Sequence, residues 1–579
     1  MARKSQIKGK RLGKAAQHEP GRSGRLAGLF GSKIDIFIPI IFFFSFINSL
    51  RAALSQYYIL EYPDDIVWVS WASKHFNEPL AILLDKQGTG LRPMINLLYA
   101  IGYSVWGSNA TYYYLMNGVL FAGAMVFLYL LIKQLHSRAA GVIAVFLYLF
   151  LDASFILVWK MNYTTSIAEM FFITSSLYYS IHFFEKADKK SLVLAFVLGI
   201  FAFLSKEPSI LIIPTVNIIY LLHKWKSIEA KTRIASLLVN VSLPLLFLLL
   251  TFMVSSEVNA PGTSPLSELI KSRLVTYFEL ELSTTQGQLK NPYLLFLGCI
   301  GTFYFHRFKK EELGGVPINL IKNAISILLI AIVFISSQSL YSLTGAILIV
   351  LLLALGFIFG DINRRLGIAW FGVGLAPLLI TSQQVQPTYL AEANLGMVLF
   401  IGVTVSEYLK YIFSKENSGV KDTQVSSVFK TVNIVIVVLI LVLQLSAIPT
   451  EISNTNNYQK VVSESQTSFK EAIDYMMTTV PKNGTVYYIP SEEREKVGGS
   501  QITEGVFYDV LCMKERCDIK VKNLLPSTNL EKGGFVVLLS NLDAYIFSKE
   551  YTSLNNNVYI LKQIKNGDGV AYILGVKSA

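Results

Sequence analysis

Long apolar runs recur from one end of the chain to the other, and they restrict its fold more than any other feature. Of the 579 residues, 53% are hydrophobic and 16% are charged, whereas a typical soluble domain has about 25% charged residues. So few charges do not cover one compact body with a water-compatible surface. The sequence therefore predicts a polytopic α-helical membrane protein. This class excludes a cytosolic enzyme, a disordered protein and a disulfide-stapled secreted domain.

The apolar runs predict about 13 membrane-spanning helices. The first run, residues 34–50, follows a basic tail, residues 1–33, that is predicted to be disordered in the cytoplasm. The run lacks a small-residue cleavage site, so it is interpreted as an uncleaved span rather than a signal peptide. The other candidate spans, with edges uncertain by several residues, are 112–132, 139–152, 163–184, 191–204, 208–222, 234–254, 291–305, 324–337, 342–360, 366–381, 391–409 and 431–448.

The distribution of lysine and arginine predicts the orientation. With the N-terminus in the cytoplasm, lysine and arginine are concentrated in the loops predicted to lie inside, and the loops predicted to lie outside are poorer in them for their length. The net charge of +12 is thus explained by cytoplasmic loops and tail, and it does not indicate a nucleic-acid partner. An odd number of spans places residues 449–579 outside. A prokaryotic plasma membrane is the expected location, with the endoplasmic reticulum as the second choice.

Residues 449–579 differ in pattern from the membrane body and predict a small extracytoplasmic α/β domain. A segment with helical spacing, Tyr458–Thr479, precedes four β-rich runs, which are Thr485–Ile489, Phe535–Leu539, Val558–Ile564 and Val570–Val576. Cys512 and Cys517 also lie here, and outside the cytoplasm a local disulfide between them is expected. The domain contains no histidine, which argues against a zinc site built on this cysteine pair.

The first outer loop, residues 51–111, carries two adjacent carboxylates, Asp64 and Asp65, directly after Pro63. One interpretation is structural, with Asp64 as the N-cap of an amphipathic helix that presents aromatic residues. The other is catalytic, with a carboxylate held at the membrane surface as a general base. A cap does not exclude a base, so both interpretations remain open.

Further polar residues lie at the predicted outer ends of the spans. Arg92 precedes Pro93, and it is either a guanidinium that binds an anionic headgroup or an ordinary interfacial arginine. Lys206 and Glu207 lie between two apolar runs, where they face a polar cavity or pair with each other at a helix end. A mixed-charge site on one face is typical of an active site for an amphiphilic substrate. The candidate substrate-binding residues on this face are Asp152, Glu207, Arg273, Tyr277, Tyr389 and Glu392.

The order of these elements resembles a known enzyme family. The acidic pair is followed by the Arg92-Pro93 element, the stretch Leu97–Asn109, the segment Leu115-Met116-Asn117-Gly118 and the turn Ser205-Lys206-Glu207-Pro208. This pattern resembles the membrane glycosyltransferases with the GT-C fold. The resemblance is nearest to the branch of protein O-mannosyltransferases, lipid A aminoarabinose transferases and their tetratricopeptide-bearing relatives. It covers residues 34–220 and, in part, residues 366–410.

The resemblance implies a GT-C-like catalytic body over residues 34–448, which transfers a hexose or pentose from a polyprenyl phosphate to an acceptor hydroxyl at the outer membrane face. The family's acidic loop position falls on Asp64, the implied base, with Asp65 beside it. Its two positions at the donor phosphate fall on Arg92 and Lys206, whose charges stabilise the leaving group. Direct displacement implies inversion at the anomeric carbon. The acceptor is a protein, a glycan or a lipid.

Some elements depart from the family, and several assignments stay open. The second acidic position falls loosely on Asp152, and the late Arg-Tyr pair is replaced by Pro387–Ala393, which has no arginine. No cofactor is required, although Asp65 either orients the acceptor or binds a divalent metal. Three other functions are open: a lipid-linked glycan polymerase or ligase, a transporter or flippase, and a structural assembly subunit. A transporter needs polar groups near the bilayer midplane, whereas the candidates here cluster at outer ends.

Overall fold

A computed structural model describes most of the first half of the chain and parts of the second half. The described residues are 35–54, 63–87, 90–149, 151, 157, 161–254, 353–354, 356–358, 360–380, 390–413, 468, 470–489, 518–524, 528–538, 547, 551, 557–566 and 569–577. The helices of the membrane body are α1 (Phe37–Leu54), α2 (Pro63–His75), α3 (Pro79–Leu84), α4 (Pro93–Trp106), α5 (Ala110–Leu135), α6 (Arg138–Leu149), α7 (Thr164–Lys186), α8 (Lys189–Phe203), α9 (Ser209–His223), α10 (Ala230–Val254), α11 (Ile362–Ile380) and α12 (Ala391–Phe413).

Nine of the predicted spans coincide with helices to within a few residues, namely those that correspond to α1 and to α5 through α12. Capping residues fix some of these ends: the Asn109 side chain accepts a hydrogen bond from the Thr111 N–H at the start of α5. The predicted spans 291–305, 324–337 and 431–448 lie outside the described residues, and 342–360 lies mostly outside them. The total of about 13 helices therefore stays a prediction.

The first outer segment is more structured than the sequence suggested. Residues 51–111 were expected to form a loop with one amphipathic helix, but they contain α2, α3 and α4. A two-stranded antiparallel ribbon, β1 (Lys86–Gln87) and β2 (Gly90–Leu91), lies between α3 and α4. Proline is the first residue of each of these three helices, a position where its missing N–H costs no hydrogen bond. Three short helices therefore replace most of the expected loop.

The helical part has the surface of an integral membrane protein. Within the described part of the chain, α5 is the helix long and apolar enough to cross a membrane by itself, and three shorter apolar stretches are helical: Phe37–Ile47, Arg138–Leu149 and Ser209–His223. Several large apolar side chains are more than half exposed, among them Phe43, Phe44, Val193 and Leu238. Large apolar side chains exposed in this way are unfavourable in water and are stable against lipid tails.

The C-terminal part contains a five-stranded mixed sheet. A helix over residues 470–479 precedes it, and the strands are β3 (Thr485–Tyr488), β4 (Lys520–Asn523), β5 (Phe535–Leu538), β6 (Val558–Asn566) and β7 (Gly569–Val576). The strand order is β4-β3-β5-β7-β6, with β3 parallel to both of its neighbours and the remaining pairs antiparallel. Four strands match the predicted β-rich runs. The edge strand β4 was missed because Lys-Val-Lys-Asn is largely exposed and has no apolar run.

Candidate active site

The acidic pair lies in the first turn of α2. The helix begins at Pro63, so Asp64 is its second residue and not the N-cap that the sequence suggested. Carboxylates in this turn are favoured by the positive end of the helix dipole. One turn further on, Trp68 is buried and stacks on Tyr99 with 5.3 Å between ring centroids. The backbone that carries Asp64 and Asp65 therefore belongs to an anchored helix.

Arg92 is fixed beside the turn between α8 and α9. It immediately precedes α4, and the N–H of Met94 donates a 3.0 Å hydrogen bond to the carbonyl of Leu204 in that turn. The Arg92 side chain is mostly buried, and its Nη2 lies 3.6 Å from Oε1 of Glu207. Its Nε is buried and has no hydrogen-bond partner among the described residues. The guanidinium therefore retains a donor that a bound anion could use.

Lys206, in the turn itself, points into the protein. Its Nζ donates to Oε1 of Glu392 and to Oγ of Ser166, both at 2.8 Å. Burial alone lowers the pKa of a lysine, but the carboxylates of Glu392 and Glu169 outweigh it and raise the pKa of Lys206 above its usual value. Arg92 acts in the opposite direction on the same pKa, which places the two cations within electrostatic range of each other.

Glu392 is held in this position by the start of α12. It is the second residue of that helix and is 1% exposed. Nε1 of Trp370 in α11 donates to the Glu392 carbonyl at 3.0 Å, and the hydroxyl of Tyr148 in α6 donates to the carbonyl of Ala391 at 3.1 Å. Two neighbouring helices therefore fix the backbone from which Glu392 reaches Lys206.

Glu169 belongs to the same cluster and was not among the predicted site residues. It is fully buried in α7, and its Oε1 accepts a 2.7 Å hydrogen bond from the N–H of Ser209, the first residue of α9. The signal was present in the sequence, because an acidic residue inside an apolar span is retained only where it has partners or a function. The site therefore contains two buried carboxyl groups rather than one.

Four of the predicted site residues come together in the structure, and six other predicted residues lie outside the part of the chain that it describes. Arg92, Lys206, Glu207 and Glu392 form one group, in which Arg92 pairs with Glu207 and Lys206 with Glu392. The sequence had also allowed Lys206 to pair with Glu207, but the two residues have different partners here. The predicted residues that lie outside the described residues are Asp152, Arg273, Tyr277, Tyr389, Cys512 and Cys517.

The opposite end of α12 carries a second polar cluster. Arg364 is fully buried, and its Nη2 donates to Oε2 of Glu407 at 2.6 Å while Nη1 lies 3.3 Å from Oδ2 of Asp361. His136, Asp361 and Glu407 place potential ligand atoms within 4.8 Å of one another, the one such group found in the described ranges. Because Arg364 engages both carboxylates, we interpret this group as an ion-pair cluster. It lies about 22 Å along the helix from Glu392.

A family model agrees with the resemblance seen in the motifs. Residues 89–251 match the family model described as dolichyl-phosphate-mannose-protein mannosyltransferase. No curated protein matches the chain. Among solved structures, ArnT from Cupriavidus metallidurans bound to undecaprenyl phosphate is 12% identical with a TM-score of 0.44, and the match covers 93% of this chain and 97% of that one. The apo state of the same protein is 11% identical with a TM-score of 0.37 and the same coverage. The family-model match confirms that residues 89–251 of this chain resemble the GT-C-fold membrane glycosyltransferases.

Proposed function

We propose that this protein transfers a sugar from a polyprenyl-phosphate donor to an acceptor hydroxyl at the outer membrane face. The observation that carries the proposal is the setting of Arg92 near the buried ammonium of Lys206: its guanidinium is mostly buried, and its Nε has no partner in the described part of the chain. Cations are placed in this way where a site receives an anion. The match to mannosyltransferases that use a lipid-phosphate donor supports the same class of substrate.

In the proposed reaction, the lipid tail stays in the bilayer while the sugar and its phosphate reach the group formed by Arg92, Lys206 and Glu392. Asp64 accepts the proton of the acceptor hydroxyl as the oxygen attacks the anomeric carbon. The bond from that carbon to the phosphate oxygen breaks, and the electron pair leaves with the polyprenyl phosphate. The leaving group gains negative charge, which Arg92 and Lys206 stabilise. A single displacement inverts the configuration of the sugar.

The two cations have different environments, which suggests different roles. Within the described ranges, the carboxylate nearest to Arg92 is that of Glu207, at 3.6 Å and with its side chain 47% exposed, so a phosphate oxygen can replace this weak partner. Lys206 is held at 2.8 Å by a buried carboxylate. We therefore assign the direct contact with the donor phosphate chiefly to Arg92, while Lys206 adds positive charge from the wall of the site.

The test measures binding and transfer separately in the full-length protein reconstituted in lipid nanodiscs. Undecaprenyl phosphate is the binding probe, and a panel of polyprenyl-phosphate sugars supplies donors. Arg92→Met should weaken binding about 10- to 100-fold, the range expected for one charge-assisted hydrogen bond. Arg365→Met is the matched control, because Arg365 is exposed and donates to the carbonyls of Phe357 and Ile358, away from the candidate site.

Asp64→Asn tests the catalytic step. It keeps the size of the side chain but removes its basicity, so the variant should fold and bind undecaprenyl phosphate while transfer falls about 100- to 10,000-fold. Asp65→Asn should have the smaller effect. If Asp65→Asn alone abolishes transfer, the base is the second carboxylate. If both variants remain active, or if the unmodified protein does not bind the probe, the proposed function is wrong.

A further inference from the structure

Two buried carboxyl groups meet at the turn that holds Lys206, and each leaves one oxygen without a donor among the described residues. Oε1 of Glu169 accepts from the Ser209 N–H, and Oε1 of Glu392 accepts from Lys206. Oε2 of both glutamates is buried and has no hydrogen-bond donor among the residues that the structure describes. Nζ of Lys206 donates both to Glu392 and to Ser166, which lies one turn before Glu169 on α7, so the two carboxyl groups approach the same ammonium.

This arrangement has a chemical consequence. Ionised carboxylates only accept hydrogen bonds, so two of them in contact repel each other and satisfy none of their free lone pairs. If one proton lies between them, the protonated group donates to the ionised one. Carboxyl groups held this closely do not both ionise, which is the behaviour of the aspartic-protease pair. One shared proton therefore resolves both the repulsion and the missing donor.

The charge balance of the site points the same way. Two ionised glutamates beside one lysine would leave a buried negative charge without a counterion, which a low-dielectric interior penalises strongly. They would also repel an incoming phosphate. With one proton shared between Glu169 and Glu392, the pair carries a single negative charge that the ammonium of Lys206 balances. The positive charge of Arg92 then remains available at the edge of the site.

We propose that Glu169 and Glu392 share one proton, and that this carboxyl pair is the buried counterion that holds Lys206 charged and in place beside the donor phosphate. The role of Lys206 beside the donor phosphate rests on the function proposed above. The shared proton rests on the two buried oxygens without a donor and on the position of both carboxyl groups beside the Lys206 turn. Glu169 reaches the pair from α7 and Glu392 reaches it from α12, so the pair also joins two helices that are far apart in the sequence.

Infrared spectroscopy of the full-length protein in nanodiscs tests the shared proton directly. At neutral pH we expect the C=O stretch of a protonated carboxyl, shifted when the sample is exchanged into D2O. Glu169→Gln and Glu392→Gln should each abolish this band, because the remaining glutamate is then ionised against Lys206. Glu407→Gln is the matched control, since it removes a carboxylate from a buried ion pair on the same helix and should leave the band unchanged. A spectrum without the band, or a band that survives in both single variants, overturns the shared proton.

A stability comparison tests the counterion role. Lys206→Met should lower the thermal midpoint by several degrees, because the carboxyl pair keeps its negative charge without the ammonium. Adding Glu392→Gln should restore most of that loss, because Glu169 can then be protonated and neutral. Equal midpoints for Lys206→Met and the double variant would overturn the counterion role. If Lys206→Met does not fold, the infrared comparison of the two glutamine variants still decides the shared proton.

Binding of undecaprenyl phosphate separates this proposal from the function on which it depends. Both variants that lack Lys206 should bind the probe about tenfold more weakly, a loss of about 1.4 kcal/mol, although the double variant is restored in stability. If stability is restored but the unmodified protein binds no probe, the carboxyl pair stands and the proposed function fails. If the probe binds equally well with and without Lys206, the carboxyl pair does not serve the donor phosphate.

Discussion

Helices α11 and α12 pass each other so closely that one additional methyl group at Gly396 has no space. A Cβ atom there would lie 2.5 Å from the backbone N of Phe371 and 2.6 Å from the carbonyl O of Gly367. Carbon atoms in contact lie about 3.5–4.0 Å apart. Both obstacles are backbone atoms, which do not rotate away as a flexible side chain does. Gly396→Ala therefore forces the two helices apart by roughly 1 Å.

This displacement should reach the candidate site. Gly396 lies one turn after Glu392, and the Glu392 carbonyl is fixed to Trp370 on α11 by a 3.0 Å hydrogen bond. Separating the helices lengthens that bond and moves Glu392 away from Lys206, which it contacts at 2.8 Å. Overpacking of this kind typically costs about 1–3 kcal/mol of stability. A displacement of about 1 Å at a positioned group can lower the rate about 100-fold.

The matched control is Gly372→Ala on α11. A Cβ atom at Gly372 meets nothing within 4 Å, and alanine favours a helix over glycine by about 0.8–1.0 kcal/mol. We measure thermal unfolding of the full-length protein in detergent micelles. Relative to the unmodified protein, we expect a lower midpoint for Gly396→Ala and an equal or higher midpoint for Gly372→Ala. Equal midpoints for the two variants would show that the helices are not in contact at Gly396, and the reasoning would be refuted.

Two further predictions concern parts of the chain outside the described residues. With the N-terminus in the cytoplasm, an impermeant thiol reagent added from outside should label a cysteine introduced at Asn555 and not one introduced at Val420; the reverse pattern would invert the topology and place the site on the other face. Cys512 and Cys517 should form a disulfide that contributes about 2–3 kcal/mol. Two free thiols in protein purified without reductant, detected by mass spectrometry, would contradict this disulfide.

The membrane body was largely predictable because its physical signal is local. An apolar run longer than a bilayer is thick needs no tertiary information to be recognised, and α5 and α7 extend only a few residues beyond the predicted spans 112–132 and 163–184. Short segments gave no such signal. The helix α3 has six residues and no buried side chain, so its sequence, Pro-Leu-Ala-Ile-Leu-Leu, resembles the edge of a span as much as a surface helix.

The partners within the candidate site were harder to predict than its location. Sequence order placed Arg92, Lys206, Glu207 and Glu392 on one face, and the structure groups them. The sequence did not indicate which carboxylate pairs with which cation, because that pairing depends on how α12 packs against α11 and α6. Adjacent residues such as Lys206 and Glu207 point in different directions in a tight turn, so neighbours in sequence are poor guides to ion pairs there.

The two ends of the helical body hold buried arginines with contrasting partners, and the contrast supports the donor site proposed at one end. Arg364 is fully buried, and all three of its guanidinium nitrogens have an oxygen within 3.3 Å, supplied by Thr404, Glu407 and Asp361. Arg92 has its closest described carboxylate at 3.6 Å, and its buried Nε has no hydrogen-bond partner among the residues that the structure describes. Buried polar groups in folded proteins are normally satisfied. Two carboxylates and a hydroxyl of the fold therefore surround Arg364, which joins helices, whereas the weaker contact of Arg92 with Glu207 leaves room for the anion of the proposed function.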